Sequence, residues 1–120
     1  MKLLDIYNSV EFLKILCKFN LSAHNAYYLH KLLHEIESEI KIIEDFKTNL
    51  LKKYGTEKEN GNIELLPATE EYKKFTVEFL EFLQQPVELK QLSSSKLTLE
   101  DIEGNNCSVE LLQTLDWLII

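Results

Sequence analysis

Hydrophobic positions between residues 26 and 54 recur every three or four residues, which is the spacing of one face of an α-helix. Ser22 is a suitable N-cap, and Gly55 suits the left-handed position that often follows a helix. The pattern therefore predicts one long helix over about 23–54 with a narrow apolar stripe along one side. The stripe consists of Ala26, Leu29, Leu33, Ile36, Ile40, Ile43, Leu50 and Tyr54, with Lys47 interrupting it. We expect Leu33, Ile36, Ile40 and Ile43 to be core residues.

A shorter helical pattern precedes the long one. Its stripe is formed by Leu3, Ile6, Val10, Leu13 and Cys17, and further apolar residues widen it. This predicts a first helix over about 4–18 that is buried on more than one side.

A third helix follows the polar segment 55–67. Thr69 is its predicted N-cap, and Pro86 requires the helix to end by about residue 85. Its stripe of Tyr72, Phe75, Phe79 and Phe82 has the spacing of core aromatic residues. Because this helix is shorter than the second, a hairpin between them leaves one end of the long helix free to pack on the first helix.

The remaining segments are short. Asn60-Gly61 is the preferred pair of a type I′ turn, and segments 63–65 and 87–90 have the character of strands. Residues 93–95 read as a turn. Ser108 can cap a last helix, and the apolar residues at 115–120 either dock into the core or present an apolar patch to a partner.

The predicted fold is mainly α: a long antiparallel helical hairpin with an N-terminal helix, a small β element from about 63–65 and 87–89, and a short C-terminal helix.

Composition narrows the class of protein. The chain has 120 residues, which we interpret as a single helical domain over 1–120, and its formal net charge is -7. All 13 of its Lys+Arg residues are lysines. Phosphate-binding surfaces normally use clustered arginines, so direct binding to nucleic acid is not expected.

No window approaches the roughly 18 apolar residues of a membrane span, and the N-terminus lacks a secretory signal, which predicts a cytoplasmic location. Cys17 and Cys107 are expected to be buried free thiols.

Two histidines on the long helix raise the question of a metal. His30 and His34 are four residues apart, and Glu37 follows them. With a metal they would form a hydrolase site, but the His-Glu-x-x-His order of zinc enzymes is absent. We therefore expect surface histidines, no cofactor and no enzymatic activity, with a metal-dependent hydrolase as the alternative.

Two surfaces are candidates for binding a protein partner. Glu35, Glu39 and Glu44 contribute to an acidic face of the long helix, which would steer a basic surface. Trp117 stands in the apolar C-terminal segment and is the candidate anchor there.

The order of the segments resembles a family of small uncharacterised proteins from phages of Gram-positive bacteria, known as a domain of unknown function. The resemblance covers most of the chain and rests on Leu21-Ser22-Ala23, Leu51-Lys52-Lys53-Tyr54-Gly55, Glu59-Asn60-Gly61, Val87-Glu88-Leu89 and Glu110-Leu111-Leu112. It implies a phage origin and no catalytic residues. The expected function is that of a phage accessory protein that binds another protein, either inhibiting a host defence protein or assisting virion assembly. Its expected location is the host cytoplasm, with the virion as the other possibility.

Overall fold

The computed structural model describes residues 1–94 and 96–119 and is mainly helical, as predicted. The elements in chain order are α1 (Leu3–Leu16), α2 (Ala23–Tyr54), β1 (Thr56–Glu57), β2 (Ile63–Glu64), α3 (Glu70–Leu83), α4 (Lys90–Ser94) and α5 (Val109–Thr114). Within the described residues, no helix is both long enough and apolar enough to cross a membrane.

The long helix α2 sets the dimensions of the molecule. Its 32 residues extend about 48 Å at about 1.5 Å per residue, and the longest dimension of the structure is 49 Å. The Ser22 hydroxyl accepts a hydrogen bond from the Asn25 backbone N–H at 3.2 Å, which confirms the predicted N-cap. The left-handed conformation predicted for Gly55 is wrong, because its φ of -91° is that of extended backbone. Glycine is needed there for a different reason: a Cβ would lie 2.6 Å from the Leu51 carbonyl oxygen and against the Ile63 side chain.

Helices α2 and α3 form the predicted antiparallel hairpin. Near the turn, the Tyr54 hydroxyl donates to the Glu78 carboxylate. Farther along, the rings of Phe46 and Phe82 stack with centroids 3.9 Å apart. Residues earlier in α2 thus contact residues later in α3, which shows that the two helices are antiparallel.

Helix α1 also runs antiparallel to α2. Near the start of α1, Tyr7 accepts a hydrogen bond from Lys47 Nζ at 3.3 Å and packs edge-on against Phe79 with centroids 5.4 Å apart. The later residues of α1 lie beside the N-terminal half of α2. The prediction that one end of the long helix packs on the first helix is therefore confirmed.

Two hydrophobic clusters follow from this arrangement. The distal cluster joins the C-terminal half of α2 to α3 and contains Leu3, Ile43, Leu50, Phe75, Phe79 and Leu83. The main cluster lies where α1, the N-terminal half of α2, α4, α5 and the C-terminal segment meet. Its fully buried members include Ile6, Leu16, Leu32, Ile36, Leu97, Leu111, Leu115 and Leu118.

The small β element is present, but its predicted partners are not the observed ones. β1 pairs antiparallel with β2, with Thr56 opposite Glu64. The connecting turn is closed by the Gly61 N–H, which donates to the Lys58 carbonyl at 2.9 Å. Gly61 has a φ of +83°, whereas Asn60 does not have a positive φ. A type I′ turn needs positive φ at both central residues, so that prediction is wrong.

The predicted strand at 87–90 is also wrong. Residues 85–87 pair with the N-terminus of the chain, where the Leu3 N–H donates to Gln85 O and the Val87 N–H donates to Met1 O, each at 3.0 Å. Lys90 then begins α4, which includes residues 93 and 94 that were predicted as a turn; Ser95 lies outside the described residues. The first N–H groups of α4 are bound by a side chain from α2, as described below.

The C-terminal segment docks into the main cluster. Leu115 and Leu118 are fully buried, and the Leu97 N–H donates to Leu118 O at 3.1 Å. The half-buried Trp117 donates from Nε1 to the Ser9 hydroxyl at 3.0 Å. Ser9 is completely buried and donates its own proton to the Asp5 carbonyl. Of the two predicted alternatives, core docking therefore describes this segment through residue 119, and Ile120 lies outside the described residues.

Candidate partner-binding site

The apolar stripe of α2 divides into two columns with different surroundings. Residues seven apart lie almost above one another on a helix. The column of Leu29, Ile36, Ile43 and Leu50 is buried, with exposed fractions of 4%, 1%, 1% and 5%. In the other column Leu33 and Ile40 are only half-buried and Ala26 is exposed. The predicted core positions Ile36 and Ile43 are confirmed, whereas Leu33 and Ile40 lie at the edge of the core because α1 does not cover them.

The half-covered column forms one wall of an open apolar groove between α1 and α2, which we call the α1–α2 groove. Its first lobe has a volume of about 190 Å³. Each helix supplies side chains at positions i, i+3, i+4 and i+7 to that lobe. They are Val10, Leu13, Lys14 and Cys17 from α1, and Leu33, Ile36, Glu37 and Ile40 from α2.

A second lobe of about 170 Å³ continues the groove toward the start of α2. It shares Cys17 and Leu33 with the first lobe and is otherwise lined by Phe19, Leu21, Ala26, Leu29 and His30. From Ala26 to Ile40 the groove runs along 15 residues of α2, and the distance between the two is about 21 Å. Leu13, Leu29 and Ile36 are buried and form the floor.

Cys17 lies where the two lobes meet. Its predicted burial is wrong, because the residue is exposed, while Cys107 is half-buried; both are free thiols. Partial burial within the apolar groove raises the pKa of the Cys17 thiol, and the nearby Glu37 carboxylate raises it further. The thiol is therefore mostly protonated at neutral pH, which slows its reaction with electrophiles.

Glu35, Glu39 and Glu44 do not share one face of α2. Successive residues of an α-helix are separated by about 100°, so Glu44, nine residues after Glu35, points to the opposite side. Glu39 is half-buried and Glu44 is exposed. The helix as a whole carries five acids and five lysines, whereas residues 55–120 carry 13 acids and five lysines. The acidic excess of the chain thus lies outside the long helix.

Glu35 has a structural contact. Its carboxylate accepts hydrogen bonds from the backbone N–H groups of Lys90 at 2.7 Å and Gln91 at 3.1 Å. These are the first N–H groups of α4, which a helix must satisfy from outside. Glu35, a residue of α2, therefore caps the N-terminus of α4.

Trp117 likewise has an internal role. Its indole packs against the main cluster and is bonded to Ser9 on α1. The side chain thus fastens the C-terminal segment to the first helix.

His30 and His34 are close together, with ring centroids 6.1 Å apart, and they line an open groove of about 430 Å³. Of the two acids that follow them in the chain, Glu35 lines the same groove and Glu37 does not. Glu37 lies on the other side, in the first lobe of the α1–α2 groove, and Glu35 is engaged by α4. Among residues 1–94 and 96–119, no group of three or more His, Cys, Asp or Glu side chains is arranged to hold a metal ion.

Comparisons of this chain with protein-family models, with curated proteins and with solved structures find no match.

The groove residues Val10, Cys17, Leu33 and Ile40 were assigned to the core by the sequence pattern. The sequence does not separate Leu33 and Ile40 from the buried positions, because both sets form columns with seven-residue spacing within one stripe. A stripe of two heptad columns is the pattern of a helix that packs against a further helix.

Proposed function

We propose that this protein is a non-enzymatic phage accessory protein that acts by binding another protein, and that the α1–α2 groove receives a helix of that partner. The observation that carries the proposal is the matched set of i, i+3, i+4 and i+7 side chains that α1 and α2 turn toward the first lobe. Helix-in-groove recognition uses this arrangement, with apolar anchors of the bound helix entering between two helices.

The size of the groove favours a helix of a partner over a second copy of the whole chain. A strip about 21 Å long and about 10 Å wide, the diameter of a helix, covers only about 200 Å². Stable dimers bury about 800 Å² on each partner. The length corresponds instead to about four turns of a single helix.

The resemblance to phage proteins supports the phage origin. Inhibition of a host defence protein and assistance in virion assembly both require such a contact, and the identity of the partner distinguishes them. A defence protein would indicate an inhibitor in the host cytoplasm, whereas a capsid or tail protein would indicate an assembly role.

The test combines partner capture with a pair of matched variants. Leu33→Glu places a charge in the wall shared by both lobes. Ile42→Glu makes the same change at a residue of α2 that is 51% exposed and does not line the groove. Both proteins are first compared with the wild type by circular dichroism and thermal melting. We expect proteins captured from infected cells by the wild type to be retained by Ile42→Glu and lost with Leu33→Glu.

Cys17 provides a second readout at the same site. The captured partner should slow alkylation of Cys17 by iodoacetamide, measured by mass spectrometry, with Cys107 as the internal reference. Equal capture by both variants together with unprotected Cys17 would show that the groove is not the binding site. A groove variant that melts far below the wild type would be replaced by Val10→Glu, which changes the opposite wall.

A further inference from the structure

The charge of segment 12–34 is opposite to that of the rest of the chain. Residues 12–34 contain no acidic residue, although the whole chain has a net charge of -7. The same segment contains all three histidines and the lysines Lys14, Lys18 and Lys31. It covers the end of α1, the turn after it and the start of α2, which together surround the second lobe.

Two of these basic residues line the groove, one in each lobe. Lys14 lines the first lobe and His30 lines the second, while the exposed Lys18 adjoins Cys17 in the chain. Among the residues that the structure describes, none that lines the second lobe is acidic.

The acidic groups that approach the groove keep their charge, and hydrogen bonds fix the positions of two of them. Asp101 lies near His24, and its carboxylate accepts the Thr98 N–H at 2.8 Å, which lowers the pKa of Asp101. Glu35 accepts two N–H groups of α4. Glu37 alone among the groove-lining residues is acidic, and it lines the first lobe. The groove therefore has an acid-free end at the second lobe, whereas the first lobe is lined by both Lys14 and Glu37.

We propose that the groove selects an amphipathic helix that carries acidic residues on the part lying over the second lobe. This inference rests on the proposed function and adds the charge and the direction of the bound helix. Apolar anchors supply the affinity, while the lysines favour an acidic flank and disfavour a basic one. The acidic remainder of the protein repels the same helix from other surfaces, so the acid-free end also fixes where it binds.

The test uses a displayed library of 18-residue helical peptides. Leucine is fixed at the i, i+3, i+4 and i+7 positions, and the flanking positions are varied among Glu, Gln and Lys. We expect selection on the wild-type protein to enrich Glu at one end of the peptide. A synthetic Glu-flanked peptide should bind about three- to tenfold more tightly than its Lys-flanked counterpart, and the difference should shrink as salt is raised. The bound peptide should also protect Cys17 from alkylation.

Charge-reversal variants test which lysines cause the preference for Glu-flanked peptides. Lys14→Glu combined with Lys18→Glu should abolish the preference for Glu-flanked peptides. The control, Lys73→Glu combined with Lys74→Glu, changes the net charge equally on exposed residues of α3 and should leave the preference intact. Enrichment of Lys, no enrichment at all, or a Glu preference that survives the Lys14 and Lys18 changes would overturn the inference.

These outcomes can be distinguished from the outcomes that would reject the groove as the partner-binding site. If the natural partner protects Cys17 but the library favours Lys, the groove remains the binding site and only its charge preference is wrong. If the partner leaves Cys17 unprotected, the groove itself is rejected. Self-association of the free protein with protection of Cys17, measured by sedimentation, would show that a second copy occupies the groove and would overturn the inference as well.

Discussion

The division of the α2 stripe into a buried and a half-covered column can be tested by truncating one residue of each. Ile36 is 1% exposed in the main cluster, and Ile40, four residues later, is half-buried in the groove wall. Both substitutions, Ile36→Ala and Ile40→Ala, delete the same three carbon atoms. Any difference in their effect on the free energy of unfolding therefore reports the surroundings of the side chain.

The expected magnitudes follow from burial. Removing three buried carbons costs about 2.4 kcal/mol at about 0.8 kcal/mol for each. At Ile36 the deletion also leaves an enclosed cavity, which brings the cost to about 3–4 kcal/mol, within the usual range for buried aliphatic truncations. At Ile40 part of the side chain already contacts water, and the space left opens into the groove. We expect a loss there of about 1–2 kcal/mol.

Urea denaturation followed by far-ultraviolet circular dichroism measures both losses. Unfolding entropy of about 2.1 cal/mol/K per residue gives about 0.25 kcal/mol/K for 120 residues. A difference of about 2 kcal/mol thus corresponds to melting temperatures about 8 °C apart. Ile42→Ala, at an exposed position of the same helix, serves as the control and should change the stability by less than about 0.5 kcal/mol.

Equal losses for Ile36→Ala and Ile40→Ala would refute the reasoning, because they would mean that Ile40 is enclosed and that the groove is closed. A loss below about 1 kcal/mol for Ile36→Ala would instead show that the stripe of α2 is not the core.

Three further predictions concern individual contacts. Glu35→Ala should lower stability by about 1–2 kcal/mol in chemical denaturation because it leaves the first N–H groups of α4 uncapped; no change would mean that this cap is dispensable. Ser9→Ala and Trp117→Phe should each destabilise, and a double-mutant cycle should give a coupling of about 0.5–1.5 kcal/mol; additive losses would show that the hydrogen bond contributes nothing. Glu37→Gln should lower the pKa of Cys17 by removing a nearby negative charge, so alkylation at pH 8 should accelerate. A rate profile from pH 7 to 10 that is unchanged by Glu37→Gln would contradict that cause.

The ends of several helices could be predicted because their signals are local. Ser22, Thr69 and Ser108 each accept a hydrogen bond from the backbone N–H three residues later, as a capping residue does. A cap of this kind depends only on contacts within the first turn of its helix, so its residue type predicts where the helix begins. The amphipathic pattern then gives the extent of α2 and α3, and their unequal lengths imply that α1 packs beside the uncovered end.

Segment 87–90 could not be predicted in this way. Its alternation of apolar and polar residues is typical of a strand, and no capping side chain stands at the start of α4. The cap comes from Glu35, 55 residues earlier in the chain. The packing of Leu89 and Leu92 in the main cluster brings the two together, so the helix depends on tertiary contacts that the local sequence does not encode.

The candidate site likewise combines a feature that the sequence predicts with one that depends on tertiary contacts. The sequence by itself determined that α2 carries a continuous apolar stripe, because the periodicity of a helix is a property of the chain. It did not determine how much of that stripe would be covered. That was decided by the positions of the neighbouring elements, which bury the column containing Ile36, whereas α1 leaves the column containing Leu33 and Ile40 at the edge of a groove. Burial depends on which surfaces meet, and a hydrophobic side chain has the same appearance in the sequence whether a neighbouring helix covers it or stops short of it.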